Sequence, residues 1–276
     1  GPGGRVLIDD LPAPTAAPTG DGVPHAPPHR SVAARLDYGT PGTTIKLAGV
    51  RRRIADHLTH AKKTIPHFTY VDECDVTDLV KLRASLREPF EKQGIKLTYL
   101  PFFVRAAVAA LREVPIVNAS LNDETGEITL HDGYHIGIAT ATPAGLLVPV
   151  VRDADKKDLG TIAREIERLT AEARAGRSRL DDLRGGTFTI TSIGGIGGLL
   201  ATPIINHPEV AILGVGRAVK RPVFDAAGNI RPAEMIYLSL SFDHRVVDGA
   251  VGAVFGNALI QHLQNPARLL LPERVV

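Results

Sequence analysis

The ten residues Ser241-Phe-Asp-His-Arg-Val-Val-Asp-Gly-Ala250 constrain this chain most, because one periodicity stops there and another begins. Upstream, Ile236, Leu238, Leu240 and Phe242 alternate with Tyr237, Ser239 and Ser241. A period of two is the mark of a half-buried strand. Downstream of Gly249, Val251, Val254, Phe255, Ala258, Leu259 and Leu263 recur three or four apart, which is helical spacing. Asp243, His244, Arg245 and Asp248 fill the junction between them. Strand-end loops on a rigid scaffold are common seats for catalytic groups. A charged turn that simply ends a strand has the same spacing.

The totals narrow the field of functions. A chain of 276 residues can bury a sizeable core. Its net charge of +2 argues against a dedicated nucleic-acid binder. No apolar run reaches the roughly 18 residues of a membrane span, and the opening residues show no signal-peptide pattern. The single cysteine, Cys74, rules out an internal disulfide framework and fits a reducing, cytoplasmic setting. Asp72, Glu73 and Asp75 surround it and should raise its thiol pKa, which predicts an inert thiol.

Organisation changes near residue 44. Eight of the 20 prolines fall within the first 41 residues, where large apolar residues are sparse, so this stretch reads as an extended linker. From Thr43 the pattern is globular. Helices are expected over residues 45–63, 79–92, 98–113 and 159–175, with a short helical turn at 180–183. Strands are expected at 68–76, 117–121, 128–131, 135–142, 146–151, 187–192 and 210–215, with a hairpin over 219–224 and 230–242 around Ala227-Gly-Asn229. Asp75-Val-Thr-Asp78 offers an N-cap. Such a mixture in one continuous domain predicts an α/β fold with helices covering a mixed sheet.

Gly185-Gly-Thr-Phe-Thr-Ile-Thr-Ser-Ile-Gly-Gly-Ile-Gly-Gly198 fails both phosphate-loop fingerprints: Leu200 stands where Gly195-Ile-Gly197 needs a third glycine, and no Gly-Lys-Ser/Thr follows. It reads instead as a strand bearing the hydroxyls of Thr189, Thr191 and Ser192, ending in a loop where something approaches the backbone closely. Hydroxyls that merely satisfy a turn fit the same residues. His57 and His60 lack the intervening carboxylate of a His-Glu-x-x-His site, so no metal is expected. His67 and His207 read as packing or surface histidines. The Arg51-Arg-Arg53 run, Lys81 and Arg83 read as solvated or carboxylate-paired helix faces.

Asp243-His-Arg-Val-Val-Asp-Gly249, with Thr191 in Gly186-Thr-Phe-Thr-Ile-Thr-Ser192, resembles the catalytic domain of the dihydrolipoamide acyltransferases of 2-oxo acid dehydrogenase complexes. Ordered matches extend over roughly residues 45–276: Ile65-Pro-His-Phe68, Pro101-Phe-Phe103, Val117-Asn-Ala-Ser120, Gly145-Leu-Leu-Val-Pro149, Pro203-Ile-Ile205 and Pro208-Glu-Val-Ala-Ile-Leu-Gly214. The stretch from Pro66 to Arg83 is most similar to the branched-chain members, with acetyl-transferring cores as the near alternative.

The resemblance implies a two-layer, mixed-sheet fold like that of chloramphenicol acetyltransferase, and trimers that associate into cubic or dodecahedral cages. It implies residues 1–11 as the end of a peripheral subunit-binding domain, 12–44 as a Pro-rich linker and 45–276 as the catalytic domain. The lipoyl group would ride on a separate domain outside this sequence, and decarboxylase and dihydrolipoamide dehydrogenase components would be partners through the upstream domain. The substrate would be coenzyme A. His244 matches the family's general base, Thr191 its oxyanion hydroxyl (often serine) and Asp248 its aspartate, read here as a structural ion pair. Arg83, Thr98, Thr191, Ser192 and Gly216 fall where relatives contact coenzyme A, while Ala141 replaces an aspartate contact. The shared site would lie between two subunits. A free-standing antibiotic acetyltransferase and a non-catalytic scaffold are the competing readings, and apolar residues 269–276 are candidates for contacts between trimers.

Overall fold

The computed structural model describes residues 40–195 and 197–271. The subunit-binding remnant, nearly all of the linker and the last five residues lie outside the described residues. The order of elements is α1 (Gly49–Thr64), β1 (His67–Asp75), α2 (Thr77–Glu91), α3 (Leu100–Glu113), β2 (Ala119–Leu121), β3 (Ile128–Leu130), β4 (Ile136–Ile138), β5 (Thr140–Thr142), β6 (Gly145–Leu147), β7 (Val150–Val151), α4 (Leu159–Arg174), β8 (Phe188–Ser192), β9 (Ala211–Val215), β10 (Val219–Phe224), β11 (Ile230–Asp243) and α5 (Gly249–Gln264).

The main sheet runs β1-β11-β9-β8-β4-β7, with β10 also paired to β11. β8 is parallel to β4 and to β9, while β11 is antiparallel to β1, β9 and β10, so the sheet is mixed as expected. Alternation decides its faces. Ile236, Leu238, Leu240 and Phe242 of β11, with Phe188 and Ile190 of β8, join the main core with α3, α4 and α5. Completely burying a side chain such as Phe242 is worth about 1.5–3 kcal/mol. On the other face, Ile212 of β9 packs with Ala61 and Ile65 at the end of α1 and with Ile205. That face is otherwise hydroxyl-rich: Ser241 and Thr69 are hydrogen-bonded at 3.1 Å, and Ser239 is buried beside them in sequence register.

Two helices fit closely for a reason visible in the residues. α5 lies flat on β1 because Gly252 and Gly256 face it; a Cβ there would come within 2.8 Å of the Phe68 ring and 2.6 Å of the Tyr70 ring. α3 buries Arg105, whose guanidinium donates to the carbonyl oxygens of Lys157, Leu269 and Leu271 and so holds the turn after α5.

Several expected boundaries move. The first helix begins at Gly49, not at residue 45, and Ile45 and Leu47 are exposed ahead of it. Residues 115–117 form a single 3-10 turn before β2, because Pro115 starts a helical turn more readily than a strand. The long strands expected at 135–142 and 146–151 each split in two. β5 and β6 pair with one another as a separate hairpin, leaving only β4 and β7 in the main sheet. α2 has no side-chain cap at Val76; the Asp75 carboxylate instead accepts from the Thr77 amide at 2.9 Å. Cys74 is buried and its thiol is pushed up to about 12, by burial first and by Asp75 and Asp72 second.

Candidate active site

β11 runs for 14 residues and delivers His244 just beyond its end. The backbone there is held from both sides: the Asp243 amide donates to the Val210 carbonyl at 2.8 Å and the His244 amide to the Pro66 carbonyl at 3.1 Å. Asp243 is buried, and Arg245 folds back to grip it through Nη2 at 2.7 Å and Nε at 3.0 Å. The same guanidinium reaches Asp123 at 2.8 Å through Nη1. The Asp243 hydrogen bond, which strengthens the charged form, raises the Arg245 pKa above its ordinary value. His244 is thus left on a rigid loop, exposed, with its ring 4.7 Å from Phe68 and tilted 60° to it. Phe68 is itself stacked on Phe242 at 5.2 Å. Among the described residues nothing hydrogen-bonds the His244 imidazole.

Asp248 departs from the expected ion pair. Its carboxylate caps α5 by accepting from the Val251 amide at 2.9 Å, and it forms no salt bridge among the described residues. A short acceptor at a strand-to-helix junction satisfies an orphan helix amide, and this is what the Asp-Gly pair at 248–249 does.

The hydroxyl strand separates into structural and available groups. Thr189 donates to the Glu209 carboxylate at 2.6 Å and is fully engaged. Thr191 is half-buried and Ser192 exposed, and neither hydroxyl has a partner among the described residues. The close approach expected in the glycine loop is made by the chain itself: a Cβ on Gly216 would collide with the Leu199 carbonyl oxygen, and one on Gly194 would come within 2.7 Å of the Gly216 carbonyl. Gly216 follows β9, whose last residue Val215 is opposite Ser192, so Thr191, Ser192 and Gly216 form one group.

Arg83 and Thr98 form a second group. Arg83 Nε donates to the Leu97 carbonyl at 3.0 Å and its guanidinium lies 4.6 Å from the Tyr99 ring, so residues 97–99 wrap around it. Ala141 is exposed on β5.

Strand register keeps His244 away from Thr191 within one chain. Thr191 pairs with Gly214, and Gly214 with Ser239 on β11. His244 lies five residues beyond Ser239, about 16 Å along the strand and two strand spacings, about 10 Å, across. The direct backbone separation is therefore roughly 20 Å. A hydrogen bond spans about 3 Å, so one chain does not assemble both groups around a common carbon.

Glu209 was not singled out from the sequence. It is 3 % exposed beneath Gly186, accepting from Thr189 and, at 2.8 Å, from Asn206 Nδ2. Burial pushes its carboxyl up to about 7, against the two hydrogen bonds. Its only signal in sequence was a lone glutamate in the apolar stretch Pro208-Glu-Val-Ala-Ile-Leu213. His67 is also structural, bridging the Ile65 carbonyl through Nδ1 and the Ile205 amide through Nε2, and burial lowers its pKa.

Residues 40–271 match the family described as 2-oxoacid dehydrogenases acyltransferase (catalytic domain), and this chain belongs to that family. Among curated relatives, it is 46% identical over 273 residues to the lipoamide acyltransferase component of the branched-chain alpha-keto acid dehydrogenase complex of Pseudomonas aeruginosa, covering 98% of this chain and 62% of that protein. It is 45% identical over 244 residues to the dihydrolipoyllysine-residue acetyltransferase component of the pyruvate dehydrogenase complex of Staphylococcus aureus, covering 88% and 56%. The chain thus spans about three fifths of the length of these relatives. Among solved structures, the dihydrolipoamide acetyltransferase of Azotobacter vinelandii superposes with a TM-score of 0.80 at 38% identity, over 83% of this chain and 94% of that one. Chloramphenicol acetyltransferase, at 12% identity and a TM-score of 0.51 over 80% of this chain and 99% of that one, shares the fold, as the resemblance implied.

Proposed function

We propose that this chain transfers an acyl group between the thiol of dihydrolipoamide and coenzyme A, as the core of a 2-oxo acid dehydrogenase complex. The observation that carries the reading is His244, whose imidazole has no hydrogen-bond partner among the described residues and whose loop is held by the Asp243 and His244 amides and by the Arg245–Asp243 pair. An imidazole titrates near neutral pH and suits a thiol substrate. His244 takes the proton from the coenzyme A thiol, and the thiolate attacks the thioester carbonyl of acyl-dihydrolipoamide. The tetrahedral oxyanion accepts a hydrogen bond from Thr191. Its collapse breaks the carbon–sulfur bond to dihydrolipoamide, whose sulfur recovers the proton from the imidazolium.

Since one chain holds Thr191 and His244 roughly 20 Å apart, the site is completed between subunits, with Thr191 of one chain serving His244 of another. A homotrimer meets that need by closed symmetry. The trimer would associate further into a cage, a reading supported by likeness to the solved cubic core of a pyruvate dehydrogenase multienzyme complex. Arg83 with Thr98, and Ser192 with Gly216, are the two groups that hold coenzyme A. Asp248 supports the loop as a helix cap. The lipoyl group is carried on a separate domain, and decarboxylase and dihydrolipoamide dehydrogenase are the partner components. The setting is cytoplasmic.

The acyl group is a branched one in this reading, which the Pseudomonas relative supports through nearly the whole chain. Acetyl transfer is the alternative that the Staphylococcus relative favours. Rates with isobutyryl-, isovaleryl- and acetyl-coenzyme A and free dihydrolipoamide decide between them. Transfer unaffected by His244→Ala would refute the mechanism and leave a scaffold.

A further inference from the structure

Three side chains that the acyl transfer does not use converge beside the catalytic loop. His60 lies on α1, Asp123 in the turn after β2 and His207 in the loop before β9. His207 Nε2 is 2.7 Å from Asp123 Oδ2, and His60 Nε2 is 3.8 Å from the same oxygen. The two imidazoles meet edge to face with centroids 4.7 Å apart. One ligand atom from each residue lies within 4.8 Å of the other two.

We propose that His60, Asp123 and His207 form a binding site for a divalent transition-metal ion of the zinc class. Two imidazole nitrogens with one carboxylate oxygen suit zinc, whereas magnesium and calcium select oxygen ligands. An ion with bonds of about 2.0–2.1 Å in tetrahedral array separates its ligand atoms by about 3.3 Å. The observed 2.7 and 3.8 Å lie on either side of that value, so small side-chain shifts admit the ion. Three protein ligands leave a coordination position for water.

Groups bonded to the three side chains hold them in orientation. Arg245 holds Asp123 by Oδ1 at 2.8 Å, which leaves Oδ2 facing the imidazoles. The charge of Arg245 is offset by its grip on Asp243. α1 is pinned above the His207 loop by a 3.1 Å hydrogen bond between His57 Nε2 and Asn206 Oδ1, one helical turn from His60. Asn206 is fixed in turn by Glu209. Occupancy would thus be linked through Asp123 and Arg245 to the loop that carries His244.

The test is titration of the chelator-treated full chain with zinc chloride by calorimetry, comparing wild type, His60→Ala, His207→Ala and the double variant. The expected result is one zinc per chain in the wild type, bound at least tenfold more weakly by each single variant. The double variant should lose that site, along with the visible absorption of cobalt placed in it. The His60 side chain is 55% exposed, so His60→Ala retains the fold, which circular dichroism checks. Equal affinity and stoichiometry in wild type and double variant would overturn the proposal, as would no zinc uptake by the wild type at millimolar concentration.

Discussion

Thr191 lies in the main sheet and His244 just past the end of β11, with Ser239, the β11 residue level with Thr191, five positions short of the histidine. The consequence is experimental: each group can be supplied by a different chain. His244→Ala should lower the transfer rate by about 10²–10⁴. Thr191→Ala should lower it by about 10²–10³, with Thr191→Ser nearly restoring it. Co-refolding the two alanine variants in equal amounts should return about a quarter of the wild-type sites, because closed assemblies pair intact groups from different chains. No recovery in the mixture would place both groups in one chain.

Asp248 is expected to behave as a helix cap. Asp248→Ala should cost about 1 kcal/mol through the lost bond to the Val251 amide, while Asp248→Asn should keep most of it. Chemical denaturation measures both. If the aspartate moved a proton, Asp248→Asn would abolish transfer while leaving stability intact.

Glu209 predicts a pH signature. Its folded-state pKa is raised to about 7, so between pH 4.5 and 7 the native chain holds a proton there that the unfolded chain, with an ordinary carboxyl near 4.5, has already released. The stabilisation is complete below pH 4.5 and is lost as pH rises through 7. Between those limits wild type should lose up to about 1.4 kcal/mol per pH unit relative to Glu209→Gln, which mimics the protonated form. Parallel stability curves for the two proteins from pH 4.5 to 8 would contradict it.

Gly216→Ala should be more damaging than an added methyl suggests. The Cβ meets a backbone carbonyl, that of Leu199, so no rotamer relieves the clash and the loop before Pro203 must move. The expected outcome is a lower melting temperature together with a raised KM for coenzyme A, since Ser192 and Gly216, proposed above to hold it, share that end of β8 and β9.

Much of the fold was legible in local pattern. The alternation in β11, the apolar run of β9, the hairpin around Ala227-Gly-Asn229 and the long helices follow from periods of 2 and 3.6, which need only neighbouring residues. The strands at 135–151 were not, because whether a residue joins the main sheet or a side hairpin depends on which partner is across from it. Asp248 looked like half of an ion pair, since a sequence does not show that the nearest unsatisfied donor is a helix amide three residues on.

By itself, the sequence determined a strand ending just before His244, a hydroxyl strand ending in Thr191 and Ser192, and the ordered matches that place the chain in its family. Only the tertiary structure decided which of these groups are available. It engages Thr189 with a buried carboxylate, leaves the Thr191 hydroxyl without a partner among the described residues, and sets Gly194 against Gly216 and Gly216 against Leu199. It also brings His60, Asp123 and His207 together from three distant segments. The physical reason is common to all of these: hydrogen bonds, steric limits and ligand geometry act over a few ångströms in space, and separation along the chain carries little information about that distance once the sheet has formed.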